Sequence, residues 1–142
     1  KTLLPATWMA ERRRTILVMY QATPNAAVET YSVSRYDVDK AFKRAWDPEA
    51  HPDQWEACMK LISEKNQKKI GLNLANDYGH ADGLTQNEFQ NFMEYLPANL
   101  KGNVTSAQTL AVRWLETRTP AEMASYKHIQ EIAHYIIQEG HL

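Results

Sequence analysis

At 142 residues the chain is long enough for one domain with a real core, and 44% hydrophobic with 10% aromatic residues is ordinary globular composition. Sixteen basic residues against seventeen acidic ones give a formal net charge of -1, which argues against a protein held to nucleic acid mainly by phosphate neutralisation. One cysteine excludes an internal disulfide and any CxxC metal knuckle, and no window approaches the ~20 apolar residues a spanning helix needs.

The first eleven residues are mixed, with Pro5 early and Trp8-Met9 suited to the edge of a core. Thr15–Tyr20 is continuous, apolar and partly β-branched, which predicts a strand buried on both faces. The cluster Gln21–Asn25 is a turn, and Val28–Tyr36 mixes Val, Thr and Tyr with polar residues as a half-exposed strand hairpinned to the first. Val38–Trp46 reads as a short helix or an extended connector. Asp53–Lys65 then places Trp55, Cys58, Met59 and Ile62 on one helical stripe with a lysine-rich exit. Ile70–Leu74 alternates as a third strand, and 76–83 is a loop rich in Asn, Asp, Gly and His.

Thr85 with Glu88 predicts a capping box that opens a helix whose core face is Phe89, Phe92, Met93 and Leu96, stopped by Pro97. Leu100–Val104 predicts one more short strand. Thr105 with Gln108 repeats the capping pattern ahead of Leu110, Ala111, Trp114 and Leu115. Thr119-Pro120-Ala121-Glu122 supplies a cap, a proline at the first helical position and a glutamate at the third, opening a last helix that ends at Gly140. Strands interleaved with helices predict an α/β fold, a mixed β-sheet covered by helices on both faces.

No complete catalytic constellation is present. Cys58 falls within an apolar stripe and reads as a small buried thiol. Counting a calcium loop from Asp77 puts Glu88 at the twelfth position, but Gly79 and Ala81 stand where oxygen ligands are required and Asp82 where glycine is. His80 and Asp82 suit a transition metal by type, yet two ligands are not a site, so loop plus helix cap is preferred. Glu131 and His134 share a helix face, but di-metal bundles need two such pairs and further glutamates. Arg12-Arg13-Arg14 reads as solvated or paired, and neither a glycine-rich phosphate loop nor a GxSxG elbow occurs.

The order of elements resembles a known domain. The apolar strand, the strand ending in Arg35-Tyr36-Asp37, the step into Lys69-Ile70-Gly71-Leu72-Asn73, the helix start Ala81–Thr85 and the stretch Trp114–Met123 follow one another as in the N-terminal domain of the creatinase/prolidase/Xaa-Pro aminopeptidase family of "pita-bread" metallopeptidases. Its most specific part is Arg118-Thr119-Pro120-Ala121-Glu122-Met123, similar to the (K/R)-(S/T)-x-x-E stretch that joins this domain to the catalytic one. The resemblance covers nearly the whole chain.

It implies a creatinase/prolidase-like N-terminal α/β domain over 1–118 and, over 119–142, a linker and the first helix of an absent catalytic domain. It also implies an accessory and oligomerisation role, without catalysis in isolation, within a proline-directed metallo-exopeptidase. Partners would be the chain's own catalytic domain and further copies of itself, with peptide as substrate, and no nucleic acid or membrane. In the family two Asp, one His and two Glu hold a pair of divalent metals (manganese, cobalt or zinc), and none of those ligands can be assigned here. No metal or cofactor is expected in these residues. The family's opening helix and strand, which precede the strand at Thr15–Tyr20 and end near the sheet centre, are missing, so the chain is expected to be a piece cut at both ends. Residues expected at an active-site wall or interface are Asp77 and His80 on the polar loop, then Arg35 and Tyr36 at a strand end. A non-catalytic peptide- or protein-binding scaffold and a creatinase-like amidinohydrolase domain carry the same fold. The sequence leaves compartment open between cytoplasm and periplasm.

Overall fold

Five strands and four α-helices follow one another in the computed structural model, which describes residues 14–35 and 41–140. Trp8-Met9, Arg12, Arg13, Tyr36 and residues 38–40 of the first connector lie outside the described residues. The protein is mixed α/β, with small sheets flanked by helices. By packing it divides into a unit of residues 1–108 and a second unit of residues 109–142. The boundary expected after Arg118 falls inside that second unit.

In the first unit, β1 (Ile16–Tyr20) pairs antiparallel with β2 (Glu29–Val33), with Ile16 opposite Val33 and Tyr20 opposite Glu29. The turn between them is closed by Gln21, whose amide donates to the Pro24 and Ala26 carbonyls. In the described part of the connector, β3 (Lys43–Arg44) is extended and pairs parallel with β2. The end of β2 and the residue after it, Ser32, Val33 and Ser34, are buried, not half-exposed, and the Ser32 and Ser34 hydroxyls satisfy their polarity inside by bonding each other at 2.6 Å.

Helix α1 (Gln54–Lys65) begins where Asp53 accepts from the backbone N–H of Trp55 and Glu56 at 2.8 and 3.2 Å. It ends at Asn66, whose φ of 43° is a left-handed cap. The expected stripe is buried as Trp55, Cys58 and Met59, joined by Leu61, and α1 packs against β2 and α2 (Gln86–Tyr95). The Thr85/Glu88 capping box forms as expected, and Phe92 and Leu96 enter the core with Val33 and Leu100.

Between these helices β4 (Ile70–Leu72) pairs parallel with β5 (Val104–Ser106). The strand expected at Leu100–Val104 starts late, because Ala98–Asn103 winds as a 3₁₀ helix first. The cap expected at Thr105 does not form: Thr105 is paired opposite Gly71 inside β5. The Gln108 N–H instead meets the Ser106 hydroxyl at 3.0 Å, so α3 (Gln108–Glu116) starts later. Close approach is the reason for glycine at 71, where a Cβ would lie 3.2 Å from that of Ala107. Among the described residues the strands therefore form two sheets, a mixed one ordered β1-β2-β3 and a parallel pair β4-β5, where one sheet was expected.

In the second unit α4 (Pro120–Glu139) opens on the expected capping box, with Thr119 accepting from the Glu122 N–H and Glu122 accepting from that of Thr119. Met123, Ile129, Ile132, Tyr135, Ile136 and Ile137 are all exposed along it.

Candidate functional site

Strand direction decides which loops can meet. β2, β3, β4 and β5 all end on one side of the first unit, and β1 starts there. The Gln54 amide marks that end by donating to the carbonyls of Arg14 and Val33 at 2.8 and 2.7 Å. Ligands of open α/β sheets gather outside the carboxyl ends of strands, so this end is where a site is sought.

Asp77 and His80 lie on the loop that leaves β4 at this end. Its backbone is fastened to both parallel strands: the Gly83 N–H meets the Asn73 carbonyl at 2.9 Å, the Ser106 hydroxyl bonds the Leu74 carbonyl, and the Asn76 N–H meets the Gln108 side chain at 3.1 Å. Asp82, itself exposed, accepts from the Ala75 N–H at 3.3 Å across the loop. That leaves Asp77 and His80 exposed, His80 in a 3₁₀ turn beside the Tyr78 ring, 6.1 Å between centroids. Asp82 is thus a loop fastener, which agrees with reading this segment as loop plus cap.

Arg35 follows β2 at the same end and is exposed. It lines a shallow basin with Arg44, Trp46, Asp47 and Glu49, and neither Asp77 nor His80 reaches that basin. The structure therefore sets the expected residues on one end of the unit but in two separate places. Tyr36 lies outside the described residues. Glu131 and His134 are exposed on α4, and among the described residues no three His, Cys, Asp or Glu side chains gather to hold a metal ion.

Two features were not foreseen. At the opposite end of the sheet, Lys65 donates to the Tyr31 hydroxyl at 2.8 Å and to Glu29 at 3.0 Å, with its ammonium 4.5 Å from the centre of the Tyr20 ring. The bond with Tyr31 and then that with Glu29 raise the Lys65 pKa, while Tyr31 and then Lys65 hold the Glu29 carboxyl below its usual range. The alternation of Glu29 and Tyr31 on one strand face was the available signal; their meeting with a helix C-terminus was not.

The second feature is a cavity of about 320 Å³ between β1 and β4, floored by Trp55, Cys58, Leu61 and Phe92. Burial pushes the Cys58 thiol up to about 12, which removes it as a nucleophile at neutral pH. Arg14 closes one mouth, paired with Glu88 at 3.3 Å and stacked 4.4 Å from the Trp55 ring centre. The Thr85 N–H, with further help from the Thr85 hydroxyl and Arg14, outweighs desolvation and lowers the Glu88 pKa. The geometry offers a lined slot and a polar end, with no nucleophile–base pair.

No family model matches the chain, and no curated protein or solved structure matches it either.

Proposed function

We propose that the chain is the accessory α/β domain of a proline-directed metallo-exopeptidase, of Xaa-Pro aminopeptidase or dipeptidase type, and that the catalytic residues belong to a domain following α4. The metal pair of such an enzyme belongs to that domain. The residues described here do not supply its ligand set, and no step of metal chemistry is assigned to them. Their part is to wall the site: His80 and Asp77 present an imidazole and a carboxylate, and Arg35 a guanidinium, at the end of the unit where the strands terminate.

The observation that carries the reading is the join. The Arg118–Met123 stretch forms a complete capping box with Pro120 at the helix start, and it opens a 20-residue helix assigned by packing to a unit separate from the sheet. A helix bearing that many exposed apolar side chains suits the opening of another folded unit.

The test is hydrolysis of Xaa-Pro peptides with added manganese. The polypeptide extended past Leu142 should turn over, the 142-residue chain should not, and His80→Ala in the extended form should raise KM. Turnover by the 142-residue chain alone, or none by the extended form, would overturn the reading.

A further inference from the structure

The loop that carries Asp77 and His80 is closed by a chemically reactive pair. Of the five glycines in the sequence, Gly83 alone follows an aspartate or an asparagine. The fold calls for both members. A Cβ at position 83 would lie 3.2 Å from the Asn73 Cβ and 3.4 Å from its Nδ2, so the close approach of two stretches of backbone selects glycine. The Asp82 carboxylate accepts from the Ala75 N–H at 3.3 Å, seven residues back, and so holds the loop shut. A glycine nitrogen is the least hindered of backbone nucleophiles. Next to an aspartate it can attack the side-chain carboxyl carbon, because the attack closes an unstrained five-membered ring.

A bond forms between the Gly83 nitrogen and Asp82 Cγ, and the nitrogen's hydrogen leaves with the carboxyl's hydroxyl as water. The product is a succinimide, and water adds back at either ring carbonyl. Addition at Cγ restores aspartate. Addition at the former backbone carbonyl breaks its bond to the nitrogen and leaves isoaspartate, with the chain routed through Cβ. In the folded loop both reacting groups are held apart. Asp82 is extended, at φ -90° and ψ 109°, which turns the Gly83 nitrogen away from the Asp82 side chain. The Gly83 N–H is engaged by the Asn73 carbonyl at 2.9 Å. The Ser106 hydroxyl on Leu74 and the Gln108 side chain on the Asn76 N–H, at 3.1 Å, tie down the same loop. Asp82 and Gly83 are themselves exposed, so water for the second step is at hand.

We infer that Asp82–Gly83 is a site of spontaneous covalent modification, an isoaspartate site that the folded loop holds off and that local opening releases. The conversion switches the loop from fastened to unfastened. Isoaspartate lengthens the backbone by one methylene and moves the free carboxylate onto Cα. The Asp82–Ala75 and Gly83–Asn73 bonds both lose their register, and Gly83 leaves its close contact with Asn73. Asp77 and His80 are then no longer held in place, whereas the capping box at Thr85 closes within its own residues and survives. The inference stands on the chemistry of two residues and the bonds around them. Failure of the peptidase test leaves it intact, and the reverse.

The test incubates the 142-residue chain in warm neutral buffer, folded in one sample and in denaturing guanidinium in another. Isoaspartate is counted by enzymatic methylation of its free α-carboxylate and located by peptide mapping. A third sample is the Ser106→Ala, Gln108→Ala double variant, which lacks both outer ties, with its fold checked by circular dichroism. The denatured chain should gain isoaspartate at residue 82 at least about tenfold faster than the folded one, with the folded variant in between. Should the variant not fold, the comparison of folded and denatured native chain decides alone. After conversion, the amides of Ala75 and Gly83 should lose hydrogen-exchange protection while those of α1 keep theirs. Equal rates in the folded and denatured chain, no isoaspartate at residue 82 in the denatured chain, or a folded variant no faster than the native chain would refute the inference. So would Ala75 and Gly83 amides that stay protected after conversion.

Discussion

Cys58 gives the most quantitative check on the floor of the slot. Its side chain is 1% exposed, and desolvation pushes its thiol up to about 12. At pH 8 about one thiol in ten thousand is then ionised, against about a quarter for an ordinary cysteine near 8.5. That ratio, about 2,000-fold, overstates the difference in rate, because a more basic thiolate is a better nucleophile. A Brønsted slope of about 0.4–0.5 over about 3.5 units returns a factor of roughly 25–55. Ionisation alone should therefore slow reaction with an aryl disulfide about 40- to 100-fold, before any steric hindrance. The assay is the rate of colour release by the folded chain at pH 8 beside the same chain in denaturing guanidinium. A folded rate within tenfold of the denatured one would refute the burial of this thiol and the reading of the floor as dry.

Two other expectations follow from the same unit. Leu96, 2% exposed among Val33, Phe92 and Leu100, should cost about 2–5 kcal/mol of stability when replaced as Leu96→Ala, measured by urea unfolding; a loss under about 1 kcal/mol would show that the site collapses or was never packed. For Asp53, desolvation favours the neutral acid, but hydrogen bonds from the Glu56 N–H, the Tyr95 hydroxyl and the Trp55 N–H outweigh it and hold the folded carboxyl below its unfolded value. The stability it adds is thus present above about pH 4, the unfolded range, and lost as pH falls through the lower folded value. Asp53→Asn keeps an N-cap, so its deficit against the native chain at pH 7 should shrink towards zero in acid unfolding curves, and a constant deficit would sink this account.

What could be read ahead from the residues was whatever depended on near neighbours. The capping boxes at Thr85 and Thr119 and the β1–β2 hairpin each need only a few consecutive residues to satisfy their own hydrogen bonds, and each formed where its pattern stood. Thr105 carries the same pattern and failed, because Thr105 pairs with Gly71 across the β4–β5 ladder. A cap contributes about 1 kcal/mol, so a ladder position with several bonds overrides it. Val38–Trp46 was ambiguous for the converse reason: Lys43–Arg44 is extended only because β2 offers it a parallel edge, and nothing within the segment encodes that partner.

The candidate site was legible by type but not by place. Asp77, His80 and Arg35 are polar residues at the ends of elements, which is where chemistry gathers. Which end of the unit they share, however, follows from the directions of five strands, and Arg35 still occupies a different concavity. The slot left still less trace. Thr15–Tyr20 reads as a strand buried on both faces, and that pattern is silent about its two edges. One edge is met by Glu29–Val33; the other is the slot, with β4 across it. The half-exposure of Ile16, Leu17 and Val18 in so apolar a run is where local pattern and three-dimensional packing part company. A strand this hydrophobic pays for a sheet edge by wetting those side chains, at about 25 cal/mol for each Å² of apolar surface left in water, and no run of consecutive residues records that balance.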